Sequence, residues 1–184
     1  MERGLVEQAQ RGDQEAFAAL VELTADRLYS IAYRMLRDPA RADDALQNAL
    51  IAMWQRLPEL RDPDRFEAWT YRMIVRASYR EAEQARGLQV RARRLAMLSP
   101  REQPGPLDRI ASRDELDRAF RELTPEHRAV LVLRHFVGLP IAAIAETLEI
   151  PVGTAASRLH YAAMHLRAAF EADTRGVVAW RHPA

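Results

Sequence analysis

Apolar residues recur at near-helical spacing along almost the whole chain, and no run alternates with the strict period of two that a strand requires. From Gln14 to Leu36, the residues Phe17, Leu20, Val21, Leu28 and Ile31 share one face, and Asp13 is placed to cap the first turn. Asp38-Pro39 repeats this logic, a cap followed by proline at the first helical position, and opens a helix to about Leu57. A loop from Pro58 to Arg65 holds a further cap pair, Asp62-Pro63. The helix after it runs to about Arg86, where Gly87 is expected to stop it. Ser99 to Pro106 is too rich in proline for a helix or a central strand and reads as a linker. Periodicity returns near Arg113. Thr124-Pro125 starts a helix through Leu133, Gly138-Leu139-Pro140 ends it, and two more helices are split at Ile150-Pro151. The stretch from Thr174 to Ala184 reads as frayed. The expected fold is all-α: two small helical domains, residues 1–88 and 113–174, joined by a flexible linker at 89–112 and followed by a tail at 175–184.

Composition narrows the class. Hydrophobic residues make up 48% and charged residues 29%, as in globular chains. Without cysteine, disulfides and thiolate metal sites are excluded. No segment approaches the roughly 18 consecutive apolar residues of a membrane span, and Met1 to Leu5 lacks a secretory layout. A cytoplasmic protein without membrane insertion is expected. The net charge is only +1, yet all 27 basic residues are arginine. Arginine's planar fork suits phosphates and base edges, but a GC-rich genome explains the bias as simply, so it decides nothing alone. No catalytic constellation stands out. His160 and His165 are not spaced as paired ligands on one helical face, Asp43-Asp44 has no partner base, and a lysine-free chain has no phosphate-binding G-x-x-x-x-G-K-[ST] loop. No enzyme activity, metal or cofactor is expected.

In the C-terminal half, Ile141, Ile144, Ala145 and Leu148 mark a short helix with one buried face. After the Glu149-Ile150-Pro151 turn, a longer helix carries Val152, Ala156, Leu159, Ala163, Leu166 and Phe170 along one stripe. Thr154, Ser157, Arg158, Tyr161 and His165 lie on roughly the opposite side. This is a helix-turn-helix layout, in which small and hydrogen-bonding residues let a helix enter the major groove. An ordinary helical hairpin with a solvated face fits the same pattern. The segments Leu123–Arg134, Gly138–Thr154 and Ser157–His160, however, closely resemble the fourth conserved region of sigma-70-family transcription factors. The resemblance implies a module that contacts the −35 promoter element through Thr154, Ala155, Ser157, Arg158 and Tyr161 and packs on the flap of the polymerase β subunit. Ala156, Tyr161 and Ala163 stand where the family usually carries basic residues, so fewer phosphate contacts and weak −35 binding are expected.

The helix with Leu46, Leu50, Met53 and Leu57 along its buried stripe shows Asp44, Gln47, Asn48 and Ile51 on the other side. A plain solvated face fits this pattern. Arg41–Asn48 also resembles the second conserved region of the same family, implying that Asp44, Gln47, Asn48 and Ile51 dock on the β′ clamp helices of core RNA polymerase. Asn48 replaces a usual acidic residue. On the following helix, Arg65, Trp69, Arg72, Arg76, Tyr79 and Arg80 occupy about half the surface, while Phe66, Thr70, Met73, Ile74 and Ala77 face elsewhere. Arginines interleaved with aromatics suit single-stranded DNA, the charges following the backbone and the rings stacking on bases. They also suit a helix whose aromatics are core and whose arginines are solvated. Phe66–Arg72 resembles the family's promoter-melting segment, and the loop Leu60–Arg65, with Arg61 and Asp62, sits where such factors capture a flipped −10 base. Arg76 stands in a place common for asparagine, and Glu81 and Glu83 interrupt a usually basic stretch that resumes at Arg86, Arg91, Arg93 and Arg94.

Both resemblances, in this order and without an intermediate module, imply a small extracytoplasmic-function (ECF) sigma factor of bacterial type. Its expected partners are core RNA polymerase and promoter DNA, with an anti-sigma factor as a further candidate. A sigma-like regulator that binds polymerase or an anti-sigma factor without promoter activity is the alternative. A conventional helix-turn-helix repressor leaves the N-terminal half unexplained.

Overall fold

The computed structural model describes residues 3–97, 118–120 and 122–179, and among these all regular structure is helical. The helices are α1 (Arg3–Gln10), α2 (Gln14–Leu36), α3 (Pro39–Arg56), α4 (Phe66–Met97), α5 (Pro125–Val132), α6 (Ile141–Leu148) and α7 (Val152–Ala179). Two 3-10 turns, Leu57–Glu59 and Pro63–Arg65, connect α3 to α4, and a π turn, Leu133–Val137, extends α5.

The starts of these elements follow from local chemistry. The Asp13 carboxylate accepts from the Glu15 and Ala16 amides at 3.0 and 3.1 Å. Asp38 accepts from the Arg41 amide at 3.2 Å, and Asp62 from the Asp64 amide at 3.1 Å. The Thr124 hydroxyl accepts from the His127 amide at 3.4 Å. Each cap satisfies amides that the first helical turn leaves without partners. Gly138 then turns the chain at φ 86° and Glu149 at φ 56°, ending α5 and α6.

The first module packs α2, α3 and α4 together, with α1 against α2. Leu20, Leu28, Ile31 and Met35 meet Met53, Phe66 and Ile74 in its core. On α3 the buried stripe is Ala42, Ala45, Ala49 and Met53, with Leu46 and Leu50 partly buried at its edge. Alanine there lets the α3 backbone approach its neighbours closely. In the second module α7 packs on α5 and α6 around Val130, Leu133, Ile144, Ala145, Ala155 and Ala162. The modules touch: Arg27 donates to the Val137 carbonyl at 3.4 Å, and the Arg34 guanidinium lies 3.7 Å above the Phe136 ring.

Several expectations are corrected. Helix α4 does not stop at Gly87 but continues to Met97, because Gly87 keeps helical rather than left-handed backbone. The stretch expected to begin the linker, residues 89–97, is thus helical; 98–112 lies outside the described residues, as do 113–117 at the start of the second module. Helix α7 passes Thr174 and reaches Ala179, with residues 180–184 outside the described set. The buried stripe of α7 runs through Ala155 and Ala162, flanked by Leu159 and Leu166, whereas Val152, Ala156 and Ala163 are exposed.

Candidate nucleic-acid interface

The helix α4 presents the face that its spacing predicts. Phe66, Thr70, Met73, Ile74 and Ala77 are buried, Arg65 and Arg80 are exposed, and Trp69, Arg72, Arg76 and Tyr79 are half-buried. Trp69 leans on Phe66 with ring centroids 6.0 Å apart. The loop before α4 is braced from α1. Gln10 donates to the carbonyls of Leu57 and Leu60 at 3.1 and 2.6 Å, and Arg3 pairs with Asp64 at 2.8 Å. A small cavity of about 170 Å³ results, lined by Leu60, Arg61, Asp62, Arg65, Ala68, Trp69 and Arg72 from this module and by Glu146 and Thr147 from the other. Its mixture of an indole, an acid and guanidiniums suits the edge and face of one unpaired base.

The arginines of this face already have partners. Arg72 pairs with Glu149 at 2.9 Å and donates to the Glu146 carbonyl at 3.3 Å. Arg76 pairs with Glu149, and Arg65 with Glu146. The Tyr79 hydroxyl is buried without a hydrogen-bond partner. Burial, then the nearby Glu126 carboxylate, pushes that phenol upward, while Arg158 opposes them. Sequence spacing had not singled out Glu146, Thr147, Glu149 or Glu126 as neighbours of α4.

Glu81 is a residue whose place differs from its sequence reading. It is buried, and its carboxylate pairs with Arg41 at 3.9 Å and accepts from Asn48 at 3.4 Å. It therefore ties α4 to α3 and does not interrupt the exposed basic face. Asp44, Gln47, Asn48 and Ile51 are all exposed on α3, with Ile51 49% accessible. Trp54, one turn on, meets the edge of Phe17 at 4.9 Å and extends this partly apolar surface.

On α7, Ser157 and Tyr161 are exposed, Tyr161 by 64%, and Thr154 is half-buried with its carbonyl accepting from Ser157 at 3.0 Å. Arg158 is half-buried towards Tyr79 and Glu126. Ala155 is 0% accessible, a core residue out of reach of DNA, because α7 is rotated by about one residue from the predicted stripe. Among the described residues, no cluster of three or more His, Asp or Glu side chains could hold a metal ion, and no helix is long and apolar enough to cross a membrane.

Two family models match the chain, Sigma-70 region 2 over residues 20–87 and Sigma-70, region 4 over residues 113–166. The ECF RNA polymerase sigma factor SigW of Bacillus subtilis is 30% identical, over 84% of this chain and 89% of its own. The chain belongs to the ECF sigma factors of the sigma-70 family. SigL of Mycobacterium tuberculosis, also an ECF RNA polymerase sigma factor, is 32% identical over 85% of this chain and 92% of its own. Among solved structures, CnrH in complex with the cytosolic domain of CnrY superposes with a TM-score of 0.66 at 27% identity, covering 93% of this chain and 97% of that one. In the present chain the region 2 match contains the exposed face of α3 and the arginine-aromatic face of α4, and the region 4 match contains α5, α6 and the first half of α7.

Proposed function

We propose that this sigma factor binds core RNA polymerase and directs it to promoters, without catalytic activity of its own. The α3 surface of Asp44, Gln47, Asn48 and Ile51 docks on the β′ clamp helices, and the second module packs on the β flap. Arg61, Asp62, Arg65, Trp69, Arg72, Arg76, Tyr79 and Arg80 engage the unpaired −10 strand. Thr154, Ser157, Tyr161 and Arg158, once turned outward, meet the −35 element. Working beside polymerase, the protein acts in the cytoplasm. The observation that carries this reading is the small cavity between the braced loop and Trp69, rimmed by arginines, whose lining suits one base and its flanking phosphates. Phosphate contacts position a protein, while base contacts specify sequence. Two weak DNA contacts gain strength when polymerase holds both modules at promoter spacing. The likeness to CnrH, solved in complex with the cytosolic domain of CnrY, supports a further protein partner for this chain, for which an anti-sigma factor is the candidate.

The test is transcription by sigma-free core polymerase on fragmented genomic DNA, with 5′ ends mapped. Discrete start sites sharing two upstream motifs are expected. Binding to core without discrete starts would favour a regulator lacking promoter activity, and failure to bind core would sink the polymerase reading.

A further inference from the structure

Part of the α4 face, at Arg65, Arg72 and Arg76, is met in the free chain by acidic groups of the second module. Glu146 lies in the last turn of α6, and Glu149 is its left-handed cap at φ 56°. Between them they bring two carboxylates and a backbone carbonyl to Arg65, Arg72 and Arg76. The carbonyl end of a helix carries partial negative charge, which adds to the carboxylates. Thr147, 2% accessible, and Glu146 also line the cavity beside Asp62 and Trp69. One helix end thus supplies acceptors where a nucleic-acid backbone would supply phosphate oxygens, and forms one wall of the base-sized cavity.

We propose that the α6 end, Glu146 to Glu149, is an autoinhibitory plug that mimics single-stranded DNA on α4. The proposal rests on the reading of α4 as the −10 surface. Each ion pair is half exposed and weak by itself. The tether makes the contact intramolecular, however, so a modest interface suffices to keep the site occupied. The free chain is therefore a poor DNA binder, and only removal of the plug uncovers the site.

The chain has no cysteine, so Glu22→Cys and Ala168→Cys, on exposed positions of α2 and α7, place spin labels on the two modules alone. The measurements on full-length protein are the inter-label distance by pulsed electron resonance and the affinity for a short A/T-rich single-stranded DNA. The plug predicts one narrow distance for the parent. For E146Q/E149Q it predicts a broader, longer distribution and roughly fivefold tighter DNA binding at low salt, the size expected for losing a few part-exposed pairs. Reversing both sides, Glu149→Arg with Arg72→Glu and Arg76→Glu, should restore the narrow distance. An unchanged distribution in E146Q/E149Q overturns the plug and leaves the DNA reading of α4 standing. Opening with no gain in DNA binding overturns the masking, and with it the assignment of α4 as the −10 surface.

Discussion

Trp69 stands between two environments. One side of its ring packs on Phe66, and another lines the cavity with Asp62 and Arg65. Truncating it should act on binding more than on folding. Trp69→Ala is expected to weaken single-stranded DNA binding by about 1–3 kcal/mol, the worth of one stacked base. Phe66→Ala, at 1% accessibility, should cost about 3–5 kcal/mol of stability. Paired anisotropy titrations and urea melts separate these effects, and equal losses in both assays would remove Trp69 from the interface. Residue identities on this face were legible because arginines and rings at helical spacing mark a surface irrespective of what covers it. Glu81 was not legible, since a carboxylate among arginines reads as exposed. Its burial depends on Arg41 and Asn48 reaching it from another helix.

Elements were legible where their signals are local. Asp13, Asp38 and Thr124 cap the helices that they precede, because a cap needs only the amides of the next few residues. Asp38→Ala should therefore lower stability by about 1 kcal/mol in chemical denaturation. The end of α4 is not legible from Gly87, because glycine stops a helix only when its backbone turns left-handed, which Gly87 does not. Since a methyl group at Gly87 would meet nothing within 4 Å, Gly87→Ala should stabilise the protein by about 0.5–1 kcal/mol. A lower denaturation midpoint would show that the helix breaks there in solution. The α7 stripe lies about one position from where its periodicity points, because alanines lie on both sides of it, Ala155 and Ala162 inward, Ala156 and Ala163 outward. With side chains that small, periodicity carries little phase.

At the scale of the whole molecule, the joining of the modules was not legible at all. Arg72 and Glu149 are 77 residues apart, and neither residue type announces the other. Ionic strength should act on this contact before it acts on either core. The Debye length falls from about 10 Å at 0.1 M salt to about 3 Å at 1 M. Small-angle scattering should accordingly show the free chain expanding as salt rises, with its helical circular dichroism unchanged. A radius of gyration independent of salt would mean that apolar packing, not charge, holds the modules together. The left-handed backbone of Glu149 has a consequence of its own. A side chain in that conformation is strained by about 1–2 kcal/mol, and glycine relieves most of the strain. Glu149→Gly should therefore make the second module harder to unfold while setting it loose from the first. On the proposed plug, the side chain that covers α4 sits where the backbone favours glycine, so one substitution would raise the thermal resistance of the second module and uncover the α4 face together.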